Sequence, residues 1–255
     1  MSEWNLSINY GIKTGCNDAF IITTEKRNEL IATDPKSAEI IRPILRGRDI
    51  NRYQYSFANL WLIFLPWHFP LQNDVSITGS SKEAEEMFAF SYPAVYNHLL
   101  SYKPQLSKRN KAETGIRYEW YALQRWGAKY WNEFFKQKIV YREISDAMNA
   151  CLVDAGYMLN NKCYLITGEH LLYILSFINS KLFTKIVLPQ ANTTGGKGES
   201  FLKEISLILP SEKTEEELSK LYNLRQEGYS VDEDIEKIFC SLYELTDEET
   251  KFIME

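Results

Sequence analysis

Four arginines, Arg42, Arg46, Arg48 and Arg52, fall within eleven residues around the single Gly47. Guanidinium is planar, permanently charged and carries five donors in a fixed fork, which suits paired contacts to phosphate oxygens or to the guanine edge. A second set, Arg117 and Arg125, is interleaved with rings and amides in Arg117-Tyr118-Glu119-Trp120-Tyr121-Ala122-Leu123-Gln124-Arg125-Trp126. Rings offer stacking surfaces to bases while cations pair with phosphate, so this mixture also suits a nucleic acid. Lys13 adds a cation between Gly11 and Gly15. The segment Gln190 to Phe201 supplies amides, hydroxyls and one ammonium from Asn192, Thr193 and Lys197 around three glycines. Its Gly-Gly-Lys-Gly core fits neither of the common phosphate-loop spacings, which leaves a polar loop.

Each of these features has a purely structural explanation. Arg46 and Arg48 beside the carbonyl end of a helix stopped by Gly47 would serve as cationic caps. A Trp/Tyr stripe is more often core than stacking platform, and Trp120 and Leu123 are expected to pack inward.

Other chemistry finds little support. The one Glu-x-Lys, Glu249-Thr250-Lys251, sits near the end of the chain, where it reads as a surface helix pair. His68, His98 and His170 are isolated, with no metal-binding i, i+4 pair among them. Cys16, Cys151, Cys163 and Cys240 are scattered and read as buried thiols in a reducing compartment. No phosphate-loop motif, Asn-Pro-Pro-Tyr motif or hydrolase signature proposes a catalytic centre.

The 255 residues carry a formal net charge of −5, which by itself argues against a polyanionic partner. The sum hides a segregation. Residues 103–142 hold ten Lys or Arg against three Asp or Glu, whereas residues 211–255 hold five against fourteen. A basic middle and an acidic end are what one phosphate-facing surface and one averted surface would require. Neither a signal peptide nor an apolar run of membrane-spanning length is evident, so the chain is expected in the cytoplasm.

The elements that must position these groups follow from periodicity. Residues 8–22 are expected to form the first strands and Thr23 to Asn28 a polar turn. Asp34-Pro35 then opens a helix on which Ala38, Ile41 and Leu45 share a face until Gly47. Leu60 to Leu65 reads as a buried strand, Ser80 onward as helical pieces interrupted by Pro93, and Ser101 to Lys111 as an exposed stretch. Lys138 to Tyr141 is a strand, Cys151–Asp154 and Lys162–Ile166 are two more around a turn at Asn160-Asn161, and Glu169 to Lys185 is a helix. A strand over Ile205 to Leu209 precedes three helices, opened by capping boxes at Thr214, Ser230 and Thr246 with Gly228 as a stop.

Several of these segments together carry a resemblance. Gly11-Ile12-x-Thr14-Gly15-x-Asn17-x-Ala19-Phe20-x-Ile22, followed by Ile41-x-Pro43-x-Leu45-Arg46-Gly47-Arg48-Asp49-Ile50-x-Arg52-Tyr53, resembles the opening of the TaqI-like C-terminal specificity domain of type IIG restriction-modification proteins. Trp120-x-x-Leu123-x-Arg125, Lys138-Ile139-Val140-Tyr141, the helix around Leu172 to Leu182, Gly195-Gly196-Lys197-Gly198-x-x-Phe201 and Leu242-Tyr243-x-Leu245-Thr246-x-Glu248-Glu249 resemble later blocks of that family in the same order. Residues 66–116 match it poorly.

The resemblance implies an α+β fold: a mixed-sheet target-recognition domain over residues 1–210 with an acidic helical tail over 211–255 packed on it. It implies sequence-specific binding of double-stranded DNA, with Lys13, Arg46, Arg48, Arg52, Arg117, Arg125, Asn192, Thr193 and Lys197 as candidate contacts and no catalytic residue in this chain. The implied partners are the methyltransferase and nuclease domains of the same protein or complex, which would flip an adenine out of the stack and use S-adenosylmethionine and Mg2+. No cofactor and no membrane are expected for this chain. The alternatives are a protein-interaction module docking through the aromatic-basic middle segment, and a free-standing enzyme.

Overall fold

The computed structural model describes residues 4–109, 118–142, 148–193, 202 and 205–255. Strand β1 (Leu6–Tyr10) leads into a one-turn helix α1 (Asn17–Phe20), strand β2 (Ile21–Thr23) and helix α2 (Thr24–Thr33). The turn expected over Thr23–Asn28 is helical, because the Thr23 hydroxyl caps α2 by accepting from the Lys26 amide at 3.3 Å. Asp34 and Pro35 open a helical turn as expected, with the Asp34 carboxylate accepting from the Lys36 amide at 3.2 Å. That turn ends at Ile40, and Ile41–Leu45 is strand β3 where a continuing helix was expected. A short apolar run suits either state, and pairing on both sides selects the strand.

Strands β4 (Ile50–Asn51) and β5 (Gln54–Tyr55) form a small hairpin ahead of β6 (Leu60–Ile63). Helices α3 (Lys82–Ser91), α4 (Pro93–Leu100) and α5 (Lys103–Ser107) follow, each of the last two with a proline in its first turn, where a missing amide costs nothing. Ser81 caps α3 through the Ala84 amide at 3.1 Å. Leu106 is buried, so the stretch from Ser101 is anchored rather than wholly exposed.

Strands β7 (Lys138–Arg142), β8 (Ala150–Val153), β9 (Met158–Leu159) and β10 (Cys163–Gly168) complete two four-stranded sheets. The first is antiparallel in the order β1-β10-β7-β8, and the second runs β2-β6-β3-β9 with β3 and β9 parallel. The two strands expected around Asn160-Asn161 therefore do not pair with each other; both flank β7. The first sheet is buried on both faces. Val140, Cys151, Cys163 and Leu165 join the core shared with the second sheet, and Ile8, Ile139, Tyr141 and Ile166 face a second, mostly helical core.

That second core is built on helix α6 (Leu171–Ile178), shorter than the expected helix to Lys185. It breaks at Asn179, whose side-chain amide donates to the Ala150 carbonyl at 2.9 Å and whose Oδ1 accepts from the Ala150 amide at 3.1 Å. The chain resumes as a π-helical turn (Phe183–Val187) and helix α7 (Leu188–Thr193). Residues 205–210 are irregular, not the expected strand.

The tail is helical: α8 (Glu212–Gln226), α9 (Asp232–Leu242) and α10 (Asp247–Met254). Ser211, one turn before the expected Thr214, caps α8, and α9 starts after Val231 without the side-chain cap expected of Ser230. The Thr246–Glu249 box forms, and Gly228 ends α8 at φ +96. Leu218, Ile235, Phe239 and Ile253 bury the tail against Tyr173 and Phe177 of α6. Among the described residues no single helix is long and apolar enough to cross a membrane.

Candidate nucleic-acid interface

Three segments leave the two sheets at a common end. In the first sheet Tyr10 pairs with Tyr164, Tyr164 with Tyr141, and Cys163 with Arg142, which brings the exit of β1, the entry of β10 and the exit of β7 together. From the second sheet Leu45 pairs with Leu159, and the Asn160 amide donates to the Leu45 carbonyl at 3.0 Å. Gly11–Lys13, Arg46–Asp49 and Asn160–Lys162 therefore lie side by side. Gly11 must lack a side chain, since a Cβ there would sit 1.9 Å from the Asn160 carbonyl oxygen. This close approach lets the Ile12 amide reach the Leu159 carbonyl at 2.7 Å.

Lys13 continues from that contact into an antiparallel bridge with Arg125, closed by backbone bonds of 3.0 and 2.9 Å. The bridge brings together cations 112 positions apart in sequence. Arg109 braces it from behind, donating to the Thr14 carbonyl at 2.7 Å and to the Trp120 carbonyl at 2.6 Å. The Arg125 guanidinium lies 5.2 Å from the Tyr10 ring centre, and its Nε finds no acceptor among the described residues. Cation–π contact of this kind orients a guanidinium without neutralising it.

The third element is the turn after β3. Arg46 is a buttress: Nε and Nη2 hold the two Asp49 oxygens at 2.9 and 2.7 Å, and its amide donates to Asp49 at 2.8 Å. Asp49's hydrogen bonds hold the Arg46 proton more tightly than usual. With that carboxylate committed, Arg48 is exposed and makes no ion pair among the described residues. Gly47 is buried against the next strand turn, where a Cβ would lie 3.2 Å from the Lys162 Cβ and 3.8 Å from the Arg142 Cβ. Arg48, Arg142 and Lys162 are thus gathered around one glycine.

The structure divides the candidates named from the sequence. Lys13, Arg48 and Arg125 border the common end of the sheets, while Arg46 supports it from within. Arg52 points into the tail, donating to Asp232 at 2.9 Å and to the Asn179 carbonyl at 3.0 Å. Asn192 and Thr193 are the last residues of α7, a helical end where a loop was expected. Arg117 and Lys197 lie outside the described residues. Trp120 and Leu123 pack inward as expected, and Tyr118 and Tyr121 are fully buried with them. Tyr118 stacks on Trp67, ring centres 5.4 Å apart.

Arg142 and Lys162 were absent from the sequence-derived set. The only sequence signals were a strand ending in arginine and a turn followed by lysine; the antiparallel register of β7 with β10 makes them neighbours. Among the described residues no group of three or more His, Cys, Asp or Glu side chains is arranged to hold a metal ion.

Comparison with known proteins agrees with this architecture. The model of the TaqI-like C-terminal specificity domain matches residues 42–205. Among solved structures, the type IIL restriction-modification enzyme MmeI, determined in complex with DNA, superposes with a TM-score of 0.59 at 15% identity, covering 96% of this chain and 33% of that one. The type IIG restriction endonuclease BpuSI gives a TM-score of 0.48 at 12% identity, covering 87% of this chain and 26% of that one. No curated protein sequence matches. The chain therefore spans a third or less of either enzyme. The MmeI likeness concerns the fold; the matched family model takes in Arg48, Arg125, Arg142 and Lys162 and more than half of the sequence, and the chain belongs to the TaqI-like C-terminal specificity domain family.

Proposed function

We propose that this chain reads a base sequence in double-stranded DNA as the target-recognition module of a restriction-modification enzyme, with methylation and cleavage carried out by domains outside it. The observation that supports this most is the gathering of Arg48, Arg142 and Lys162 around Gly47, next to the Lys13–Arg125 bridge. Cations carried on neighbouring backbone positions can pair with successive phosphates of one duplex, which releases the counterions condensed there.

In this reading Arg48, Arg142 and Lys162 fix the register of the module on the duplex through phosphates. Arg125 and Lys13 stand beside them at the common end of the sheets, where a guanidinium fork can reach a groove. S-adenosylmethionine and Mg2+ belong to the other domains, as does extrusion of the adenine to be methylated. Docking of a protein through the aromatic-basic segment is less well supported, because Tyr118, Trp120 and Tyr121 are committed to the interior.

The test is selection of random duplexes on the purified chain at low salt. Enrichment of one common base string supports the proposal. A bound pool as random as the input, or no retention of duplex at all, refutes it.

A further inference from the structure

The acidic tail grips the tip of the β4–β5 hairpin, and the contact is detailed. At the tip of the β4–β5 hairpin, Tyr53 is only 2% exposed and holds a left-handed backbone at φ 65, which is costly for a tyrosine. Two guanidinium groups flank its ring, Arg52 at 4.9 Å and Arg225 of α8 at 4.3 Å. Both pair with one carboxylate, Asp232 at the start of α9. Gln226 donates to the Tyr53 carbonyl at 3.3 Å, and the Tyr53 amide donates to Ala150 at 2.7 Å. At the other end of the same hairpin the Ser56 amide donates to the Asp49 carbonyl at 2.9 Å, and the Asp49 side chain holds Arg46. Arg48 lies within the Arg46–Asp49 turn, directly ahead of the hairpin.

We infer that Asp232 is a positioning residue for DNA binding: through Arg52 and Arg225 it pins the hairpin tip and so holds the Arg48 turn in the geometry that meets phosphate. The inference rests on the DNA-binding proposal for its consequence but not for its mechanism. It also gives the tail's charge a use. One of its carboxylates pairs with two guanidiniums that lie away from the common end of the sheets, leaving Arg48 as the exposed cation of the segment. A hairpin with only two residues in each strand has little stability of its own, so its orientation depends on its outside contacts, which include Ile50 in the core, Tyr55 on Tyr157, the Tyr53 amide on Ala150 and the tail's grip on the tip.

The test uses the full chain with Asp232→Asn, Asp232→Glu and Arg48→Ala. Two measurements are made: amide hydrogen exchange over residues 46–56, and duplex affinity as a function of salt. Asp232→Asn is expected to speed exchange in that segment. It should also weaken duplex binding about tenfold, within the range of couplings in a charged network, without changing the slope of log K against log salt. Asp232→Glu should restore both. Arg48→Ala should instead leave exchange unchanged and reduce the slope by about one unit.

Unchanged exchange in Asp232→Asn overturns the inference even where the wild-type chain binds DNA well. Tighter binding by Asp232→Asn also overturns it, since the carboxylate would then act only by repelling phosphate. Faster exchange in a chain that binds no duplex at all would refute the DNA-binding role of both Asp232 and Arg48 and leave only the pinned hairpin. Circular dichroism of each variant shows that a global loss of fold is not the cause.

Discussion

Gly47 and Lys162 are in such close contact that a Cβ on the glycine would sit 3.2 Å from both the Cβ and the carbonyl oxygen of the lysine. A Cβ on Gly11 would meet the Asn160 carbonyl oxygen at 1.9 Å, a separation no side chain tolerates. The two glycines therefore differ in how far the structure can yield. Gly47→Ala asks for a few tenths of an ångström and should cost about 1 kcal/mol, whereas Gly11→Ala requires backbone to move and should cost about 3 kcal/mol or more. Urea denaturation of both variants checks the ranking, and equal costs would contradict the packing described.

Arg46 and Arg48 are two residues apart and should behave oppositely. Arg46→Ala leaves the buried Asp49 carboxylate without its fork and is expected to destabilise the fold by about 2 kcal/mol. Arg48→Ala removes an exposed side chain that makes no ion pair among the described residues, so stability should stay within about 0.5 kcal/mol while duplex affinity falls. Thermal melts of the two variants distinguish them, and a destabilised Arg48→Ala would make Arg48 a structural cap.

Burial raises the Cys151 thiol from 9.0 to about 12 and the Tyr53 hydroxyl from 10.0 to about 12; Tyr92 is also raised to about 12 by burial and its bond to Glu39. For such groups the unfolded chain loses its proton first, so their stabilisation is complete below the unfolded values and is lost as pH climbs toward 12. Lys138 works the other way. Burial lowers it from 10.5 to about 8, so its contribution to stability rises with pH between those values. It is one group against several, since Tyr55, Tyr121 and Cys163 are raised as well. The urea midpoint is therefore expected to fall once pH passes about 10. A midpoint that held or rose from pH 8.5 to pH 11 would contradict this balance.

Much of the fold was legible because local signals agreed with the tertiary contacts. Leu60 to Leu65 reads as a strand and is one as far as Ile63; Lys138 to Tyr141 reads as a strand and is one; the Thr246–Glu249 box opens its helix; Trp120 and Leu123 face inward. The misreadings lie where two states fit the same residues. Ile41, Ile44 and Leu45 suit a helix face as well as a doubly buried strand, and only β6 and β9 decide between them. The helix from Leu171 stops at Asn179 because that side chain finds Ala150, a partner 29 positions away.

The candidate interface was half legible. Arg48 stood out as a candidate by type and spacing, and Arg125 through the family resemblance. Arg142 and Lys162 were not, since 20 positions separate them and only the register of two strands brings them to Gly47. Arg52 looked like its neighbours in sequence, but its direction depends on Asp232, 180 positions away.

The slope of log K against log salt for duplex binding, compared between the wild-type chain and a variant carrying Arg48→Ala, Arg142→Ala and Lys162→Ala together, bears most directly on whether these cations meet phosphate. Every cation–phosphate pair abolished should take about 0.9 from the slope, so the triple variant should be shallower by about three units. A triple variant that binds duplex with the wild-type slope would mean that the cations around Gly47 do not face DNA.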